Sequence, residues 1–322
     1  MATYLVTGGA GFIGSHVASA LLARGERVRV LDNFSTGSRD NLASLDGLEL
    51  IEGDVRSYHT VREAVDGVHF VLHQAALPSV PRSIKDPITS NDVNVVGTLN
   101  VLNASRDAKV ARLIYASSSS IYGRSPELPK EESMMPSPIS PYAVSKLAGE
   151  HYCRSFAELY GFETVMLRYF NVFGPRQDPH SQYSAVIPLF VEKLLRGQAP
   201  GVDGDGSQTR DFTYVDNVVQ ANLAACVAPN VAGRVFNIAA GNRISVMELL
   251  HALEEILGVA ASPEFNSARM GDVRHSYAAI GAAHSAFGYE PKVGFHDGLA
   301  LTVAWMKRRI GGEAVALAAN RT

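Results

Sequence analysis

A glycine-rich turn near the start of the chain constrains the fold more than any other feature. Thr7-Gly8-Gly9-Ala10-Gly11-Phe12-Ile13-Gly14 follows an apolar, strand-like run and opens a helical pattern. Glycines at 8, 11 and 14 omit the Cβ atoms that would block a tight turn, backbone approach to a pyrophosphate and close helix–strand packing. The helix start then offers free N–H groups and the positive end of a dipole to phosphates. In a chain with 28 glycines the triplet alone is weak. Its context strengthens it. Asp32 closes the next strand pattern, near the spacing at which a carboxylate meets adenosine ribose hydroxyls and repels a 2′-phosphate. This pairing predicts NAD rather than NADP. Asp54-Val55, at the end of the third strand pattern, could meet the adenine similarly or be a plain strand-end acid.

The first half of the chain alternates short apolar runs with helical spacing. Leu5-Val6, Val28 to Leu31, Leu48 to Ile51, Phe70 to Leu72, Leu113 to Tyr115 and Val165 to Leu167 are predicted strands. Ile13, Val17 and Leu21, and then Val93, Val96, Leu99 and Val101, have helical spacing. Strands alternating with helices predict an α/β fold, a Rossmann-type doubly wound parallel sheet covered on both faces. Ligands of such sheets sit beyond the carboxyl ends of the strands. After about Gly174, Pro and Gly become frequent; helical patterns return at Leu189–Leu195, Val218–Ala225 and Met247–Leu257, with a strand-like Val235–Ile238 between. We expect an NAD-binding Rossmann domain over 1–173, to which later segments return. A smaller substrate-binding lobe over 174–312 and a tail over 313–322 complete the division.

Composition narrows the partners. A net charge of −3 gives no reason to expect nucleic acid or an acidic membrane surface. No basic segment leading into an apolar one marks a signal peptide, and no apolar stretch approaches the ~18–20 residues that span a bilayer. Cys153 and Cys226 make no disulfide framework, so the cytoplasm is the expected compartment. His69 and His73 lie four apart in a strand pattern, which lacks helical zinc geometry; they read as structural, and no metal is expected.

Tyr142 and Lys146 stand four apart after Ser140-Pro141, and Pro141 suits a helix first turn. On a helix the two share a face. A lysine cation near the phenol, with NAD⁺ beside it, would favour phenolate and make a general base. The run Ser117-Ser118-Ser119-Ser120 closes a predicted strand, where a hydroxyl could pass a proton between a sugar and that phenol, although serine runs more often serve loops and caps.

With these residues in hand, the chain resembles the extended short-chain dehydrogenase/reductases, and within them the UDP-hexose 4-epimerases. The motifs that carry it are Thr7–Gly14, Ser117–Gly123, Pro141–Lys146, Leu167–Asn171, Gly204–Phe212 and Gly271–Ser276. The resemblance implies Ser118, Tyr142 and Lys146 as catalytic residues. It places Gly8, Gly11, Phe12, Ile13, Gly14, Asp32, Asn33, Asp54, Val55, Ala75, Asn94, Tyr142, Lys146 and Tyr169 at NAD. It places Ser79, Ser118, Ser119, Ser120, Tyr142, Asn171, Val186, Arg210, Arg269 and Ser276 at a UDP-sugar, with Arg210 and Arg269 on the diphosphate. The implied reaction removes hydride and proton at C4, turns the 4-keto sugar over, and returns both on the opposite face. The family also implies a homodimer through helices around Val93–Asn103 and Tyr142–Phe156.

Two departures bear on the sugar. The stretch His73-Gln74-Ala75-Ala76-Leu77-Pro78-Ser79 resembles the branch acting on N-acetylhexosamine nucleotides, with Ser79 near the N-acetyl group. A tyrosine that often walls the pocket of the glucose-selective branch is replaced by Ser276, which permits an acetamido group without excluding plain hexoses. Dehydratases and decarboxylases of the superfamily place an acid where this chain has Ser119 and Ser120, and dehydration needs one. UDP-uronate 4-epimerases keep the serine run, and Arg82 or Arg274 could face their carboxylate. A non-catalytic NAD-binding sensor often lacks the tyrosine–lysine pair, which is present here.

Overall fold

The computed structural model describes residues 1–178, 185–267 and 274–319. Its first half contains β1 (Thr3–Thr7), α1 (Phe12–Ala23), β2 (Arg27–Asp32), β3 (Glu49–Glu52), α2 (Tyr58–Val65), β4 (Phe70–His73), α3 (Val80–Lys85), α4 (Pro87–Asn91), α5 (Gly97–Asp107), β5 (Arg112–Ser118), α6 (Pro141–Tyr160) and β6 (Glu163–Tyr169). There follow β7 (Val172–Phe173), α7 (Val186–Leu195), β8 (Gly201–Asp203), β9 (Thr209–Arg210), β10 (Thr213–Tyr214), α8 (Val215–Val227), β11 (Val235–Ile238), β12 (Ile244–Ser245), α9 (Val246–Leu257), β13 (Glu264–Asn266), α10 (Gly281–Phe287) and α11 (Phe295–Ala319). α11 continues past the point where the sequence reads as a tail, as an alanine-rich run favours.

Seven strands among the described residues form one sheet in the order β3-β2-β1-β4-β5-β6-β11, with every pairing parallel. The predicted α/β doubly wound sheet is therefore present. The order reverses between β1 and β4, which opens the crevice where such sheets bind ligands. Alternate residues of each strand enter opposite cores. Tyr4, Val6, Leu72 and Leu167 pack with α1 and α8, whereas Leu5, Val71, Leu113 and Met166 pack with α2 and α5. Burial on both faces is why these strands read as continuous apolar runs. After α8 the chain returns to the sheet as edge strand β11.

The helical pattern from Val93 begins differently from the expectation. Asp92–Val96 forms a π-turn before α5 takes over at Gly97. Gly97 is required there, because a Cβ would sit 2.7 Å from a Val55 methyl. α6 starts as its sequence indicates. Ser140 caps it, Pro141 occupies the first turn, and Gly161 ends it in the left-handed conformation.

A buried ion pair fixes α6 to the sheet. Arg168 on β6 donates to both oxygens of Glu150, at 2.9 and 2.8 Å, and Ser117 donates to the same carboxylate. Arg168 also donates to the Tyr122 hydroxyl at 2.8 Å, and that hydroxyl donates to Asn237 on β11. Charges so deeply buried are tolerated only when paired and hydrogen-bonded throughout.

Candidate active site

The glycine turn is built as the sequence predicts. Gly8 has φ +69°, and a Cβ there would lie 2.7 Å from the Ala75 nitrogen. A Cβ at Gly14 would run into the Gly8 carbonyl oxygen. Gly11 precedes α1 and, having no side chain, leaves the first-turn N–H groups facing the cleft uncapped. Phe12 and Ile13 open the helix and pack partly buried against the core. This cradle fits a dinucleotide pyrophosphate, since only residues without a Cβ pass there.

Asp32 ends β2 and is buried. Its carboxylate accepts from the Ala10 N–H at 2.9 Å and the Phe34 N–H at 2.8 Å, holding the turn against the strand. Asp54 lies beyond β3 rather than ending it. Arg56 donates to it at 2.6 Å and Asn33 at 2.8 Å. The Arg56 hydrogen bond holds the Asp54 carboxyl down at about 2. Val55 is buried beneath Gly97.

A chain of hydrogen bonds crosses the crevice at the carboxyl end of β4. Thr7 Oγ1 stands 2.7 Å from His73 Nδ1, and His73 Nε2 stands 3.0 Å from Thr98 Oγ1. Thr98 donates its own proton to the Asn94 carbonyl at 2.6 Å. The Thr98 oxygen must therefore accept from Nε2–H, which leaves Nδ1 to accept from Thr7. Burial drops the His73 imidazole to about 3, with Lys146 adding to the fall, so His73 is neutral. Asn94 spends its side chain on structure. It accepts from the Leu77 N–H at 2.7 Å and donates to the Leu77 carbonyl and to Ser145 Oγ. Asn94, expected near the cofactor, thus also holds the loop after Ala75. That loop enters Ser79, at φ +99°, which caps α3 through Arg82 N–H. Ser83 of α3 in turn accepts from the Tyr142 N–H at 3.0 Å.

Ser118 is the last residue of β5, and its side chain favours the ionised form of the Tyr142 phenol. Ser120 donates to Ser118 Oγ from its amide and its hydroxyl. Ser119 and Ser120 begin the short 3-10 turn Ser119–Tyr122. Lys146 is buried and donates to the Ala116 carbonyl at 2.9 Å. The electrostatics correct one expectation. Burial raises the Tyr142 phenol above its ordinary value, opposed by Ser118. Burial also lowers Lys146 to about 8. The charge needed to draw phenolate from Tyr142 is thus not supplied by the lysine alone. Tyr169 pairs in register with Ser118 and shares its hydroxyl with Gln74 and Asn222.

The substrate candidates converge less tightly. Asn171, at φ +32°, donates to the Asp211 carbonyl. Arg210 on β9 donates to the carbonyls of Thr209 and Arg274. The Ser276 N–H donates to Thr209 O at 3.0 Å, which sets Ser276 beside Arg210. Val186 opens α7 and is partly buried. Arg269 lies outside the described residues. The sequence reading missed Ser83, Thr98, Glu150 and Asp211; Asp211 stands inside a quoted motif, and Glu150 one helical turn after Lys146.

The lysine yields a stability prediction. Its folded value, about 8, lies below the ~10.4 of a free lysine, so holding the charge at pH 7 costs stability. In protein stripped of cofactor, Lys146→Met should raise the unfolding free energy at pH 7 by roughly 1–3 kcal/mol. The gain should shrink as pH rises from 8 toward 10, where wild-type Lys146 sheds its proton in the folded state first. Urea unfolding at both ends measures this. A destabilised variant with no pH dependence would contradict it.

The comparisons agree with this geometry. The UDP-glucose 4-epimerase of Mycolicibacterium smegmatis is 39% identical over 310 residues, covering 95% of this chain and 98% of that protein. The UDP-glucose 4-epimerase of Thermotoga maritima, solved with UDP-glucose, superposes with a TM-score of 0.92 at 38% identity, covering 96% of this chain and 99% of its own. The UDP-N-acetylglucosamine 4-epimerase of Methanobrevibacter ruminantium, in complex with UDP-N-acetylmuramic acid, gives a TM-score of 0.92 at 36% identity and the same coverages. The NAD dependent epimerase/dehydratase family matches residues 4–239. That match runs from the first strand of the sheet through its last, β11, and the chain belongs to the NAD dependent epimerase/dehydratase family.

Proposed function

We propose that the chain is an NAD-dependent UDP-sugar 4-epimerase with Ser118, Tyr142 and Lys146 at its catalytic centre. The observation that carries this is the placing of Ser118 at the carboxyl end of β5, where Lys146 of α6 donates to the Ala116 carbonyl two residues earlier, on the sheet edge whose glycine turn admits no Cβ. Gly8, Gly11, Gly14 and Asp32 would hold NAD, which when bound supplies a reversible hydride acceptor. Tyr142 takes the C4 hydroxyl proton through Ser118 and returns it after the 4-keto sugar has turned. Buried Lys146, anchored on the Ala116 carbonyl of β5, would supply a cation to the same centre. Arg210 and Arg269 would pair the diphosphate.

Dehydration is the weaker reading. Ser119 and Ser120 stand where an acid would be needed, and nearby Glu150 is committed to Arg168. For the sugar we favour a pocket open to both N-acetylated and plain UDP-hexoses, because Ser276 beside Arg210 is small. We further propose the division into a Rossmann domain and a smaller substrate lobe, with substrate between them. Cys153 and Cys226 are free and buried, which supports a reducing cytoplasm as the compartment. Among the described residues, no helix is long and apolar enough to cross a membrane.

Purified protein incubated separately with UDP-glucose, UDP-N-acetylglucosamine and UDP-glucuronate should equilibrate the first, the second or both with the galacto isomer, read by anomeric proton NMR. Tyr142→Phe should lower turnover by at least about 100-fold while bound NAD is retained. Ser276→Tyr should suppress the N-acetyl reaction selectively. Turnover in Tyr142→Phe at the parent rate would refute the assignment, and unaltered N-acetyl turnover in Ser276→Tyr would refute the pocket argument.

A homodimer through α5 and α6 is also proposed. Tyr152, Leu159 and Tyr160 line the groove between these helices and are exposed, as is Val144 on α6, and such apolar surface is costly to leave in water. Light scattering should give twice the chain mass, and Leu159→Asp should shift it toward the monomer. A monomeric parent at working concentration would rule the pairing out.

A further inference from the structure

We infer that Asp211 is a positioning residue that holds the diphosphate-binding side of the substrate site together. The inference rests on the UDP-sugar reading and adds a residue to it.

Asp211 is fully buried between Arg210 and Phe212. Its Oδ1 accepts from the Ala240 N–H at 2.9 Å and its Oδ2 from the Ala278 N–H at 3.2 Å. The N–H groups of Gly241 and Asn242 add to the same carboxylate. Its own carbonyl accepts from Asn171 Nδ2 at 3.3 Å. One side chain thus fastens three separate stretches: the β9–β10 connection, the loop after β11, and the segment following Ser276. Substrate candidates adjoin two of them. Arg210 precedes Asp211, Asn171 binds its carbonyl, and Ser276 stands two residues before Ala278. None of the other acids placed in the site gathers more than one of these stretches.

The chemistry requires an ionised group. A carboxylate offers only acceptors to converging amides. Once protonated, one oxygen becomes a donor facing other donors, and the segments lose their common anchor. Burial pushes the Asp211 carboxyl up to about 6 against the pull of the amides, so the anchor is intact at pH 7.5 and yields below that value. The groups facing this region are the guanidiniums of Arg210, Arg243 and Arg274, the His275 imidazole and the Tyr289 phenol. Guanidiniums and a phenol raised by burial do not titrate between pH 5 and 8. His275 can, but any contribution from it persists when Asp211 is replaced.

The test is calorimetric binding of UDP-glucose or UDP-N-acetylglucosamine to the NAD-loaded parent and to NAD-loaded Asp211→Asn from pH 5 to 7.5. The parent Kd should rise several-fold as pH falls through about 6. In Asp211→Asn the Kd should be raised about tenfold or more at pH 7.5 and vary less with pH, with NAD content equal to the parent's. A parent Kd that does not change with pH overturns the inference even if the variant fails to fold. So does a folded variant that binds like the parent. A parent that binds neither UDP-glucose nor UDP-N-acetylglucosamine at any pH removes the substrate reading, and this inference with it.

Discussion

Exclusion of water from the carboxyl edge of the sheet sets the protonation of the groups gathered there. His73 stays neutral because its imidazole is wholly buried, and a neutral ring can accept from Thr7 while donating to Thr98. That single ring joins the strand leading into the glycine turn to Thr98 on α5, which in turn donates to the Asn94 carbonyl in the preceding π-turn. Through Asn94 it reaches the loop that leads to Ser79. A charged imidazole would donate at both nitrogens and leave Thr98, whose proton is committed to Asn94, as its acceptor while reversing the role of Thr7. The crevice therefore depends on a desolvated, uncharged histidine that takes no part in the chemistry.

Partly buried Tyr142 and buried Lys146 respond in the same sense. Desolvation penalises phenolate and ammonium alike, so the phenol rises and the lysine falls. Ser118 relieves part of the penalty on the phenol. The protein alone thus holds Tyr142 in its protonated form. On the proposed mechanism, a positive charge brought to the site on binding would tip it toward phenolate. Beneath this centre the Glu150–Arg168 pair locks α6 onto β5 and β6, so the faces bearing Tyr142, Lys146 and Ser118 keep a fixed relation.

What could be read in the sequence was local. Strand and helix patterns, the glycines of the turn, Asp32, and the Tyr142–Lys146 spacing are set within a few residues, and the structure carries each of them. The π-turn at Asp92–Val96 was not legible, since a period near 3.6 does not reveal a turn widened by one residue. Nor was the bond between Glu150 and Arg168, which depends on how α6 lies on β6. The direction of the Tyr142 shift went against expectation for a related reason. Spacing shows that a lysine is near, but burial decides the sign, and burial is a property of the whole fold. Asp211 was visible as part of a motif, yet its reach to Ala240 and Ala278 spans segments far apart in the chain.

The most direct measurement of this account is an ultraviolet titration of the Tyr142 phenol, taken as the difference between the parent and Tyr142→Phe, both stripped of cofactor. Burial of the phenol predicts that less than half of Tyr142 is phenolate at pH 10, the value of a free phenol. Phenolate at pH 8 in the stripped protein would show that Lys146 alone suffices and that desolvation does not rule this site.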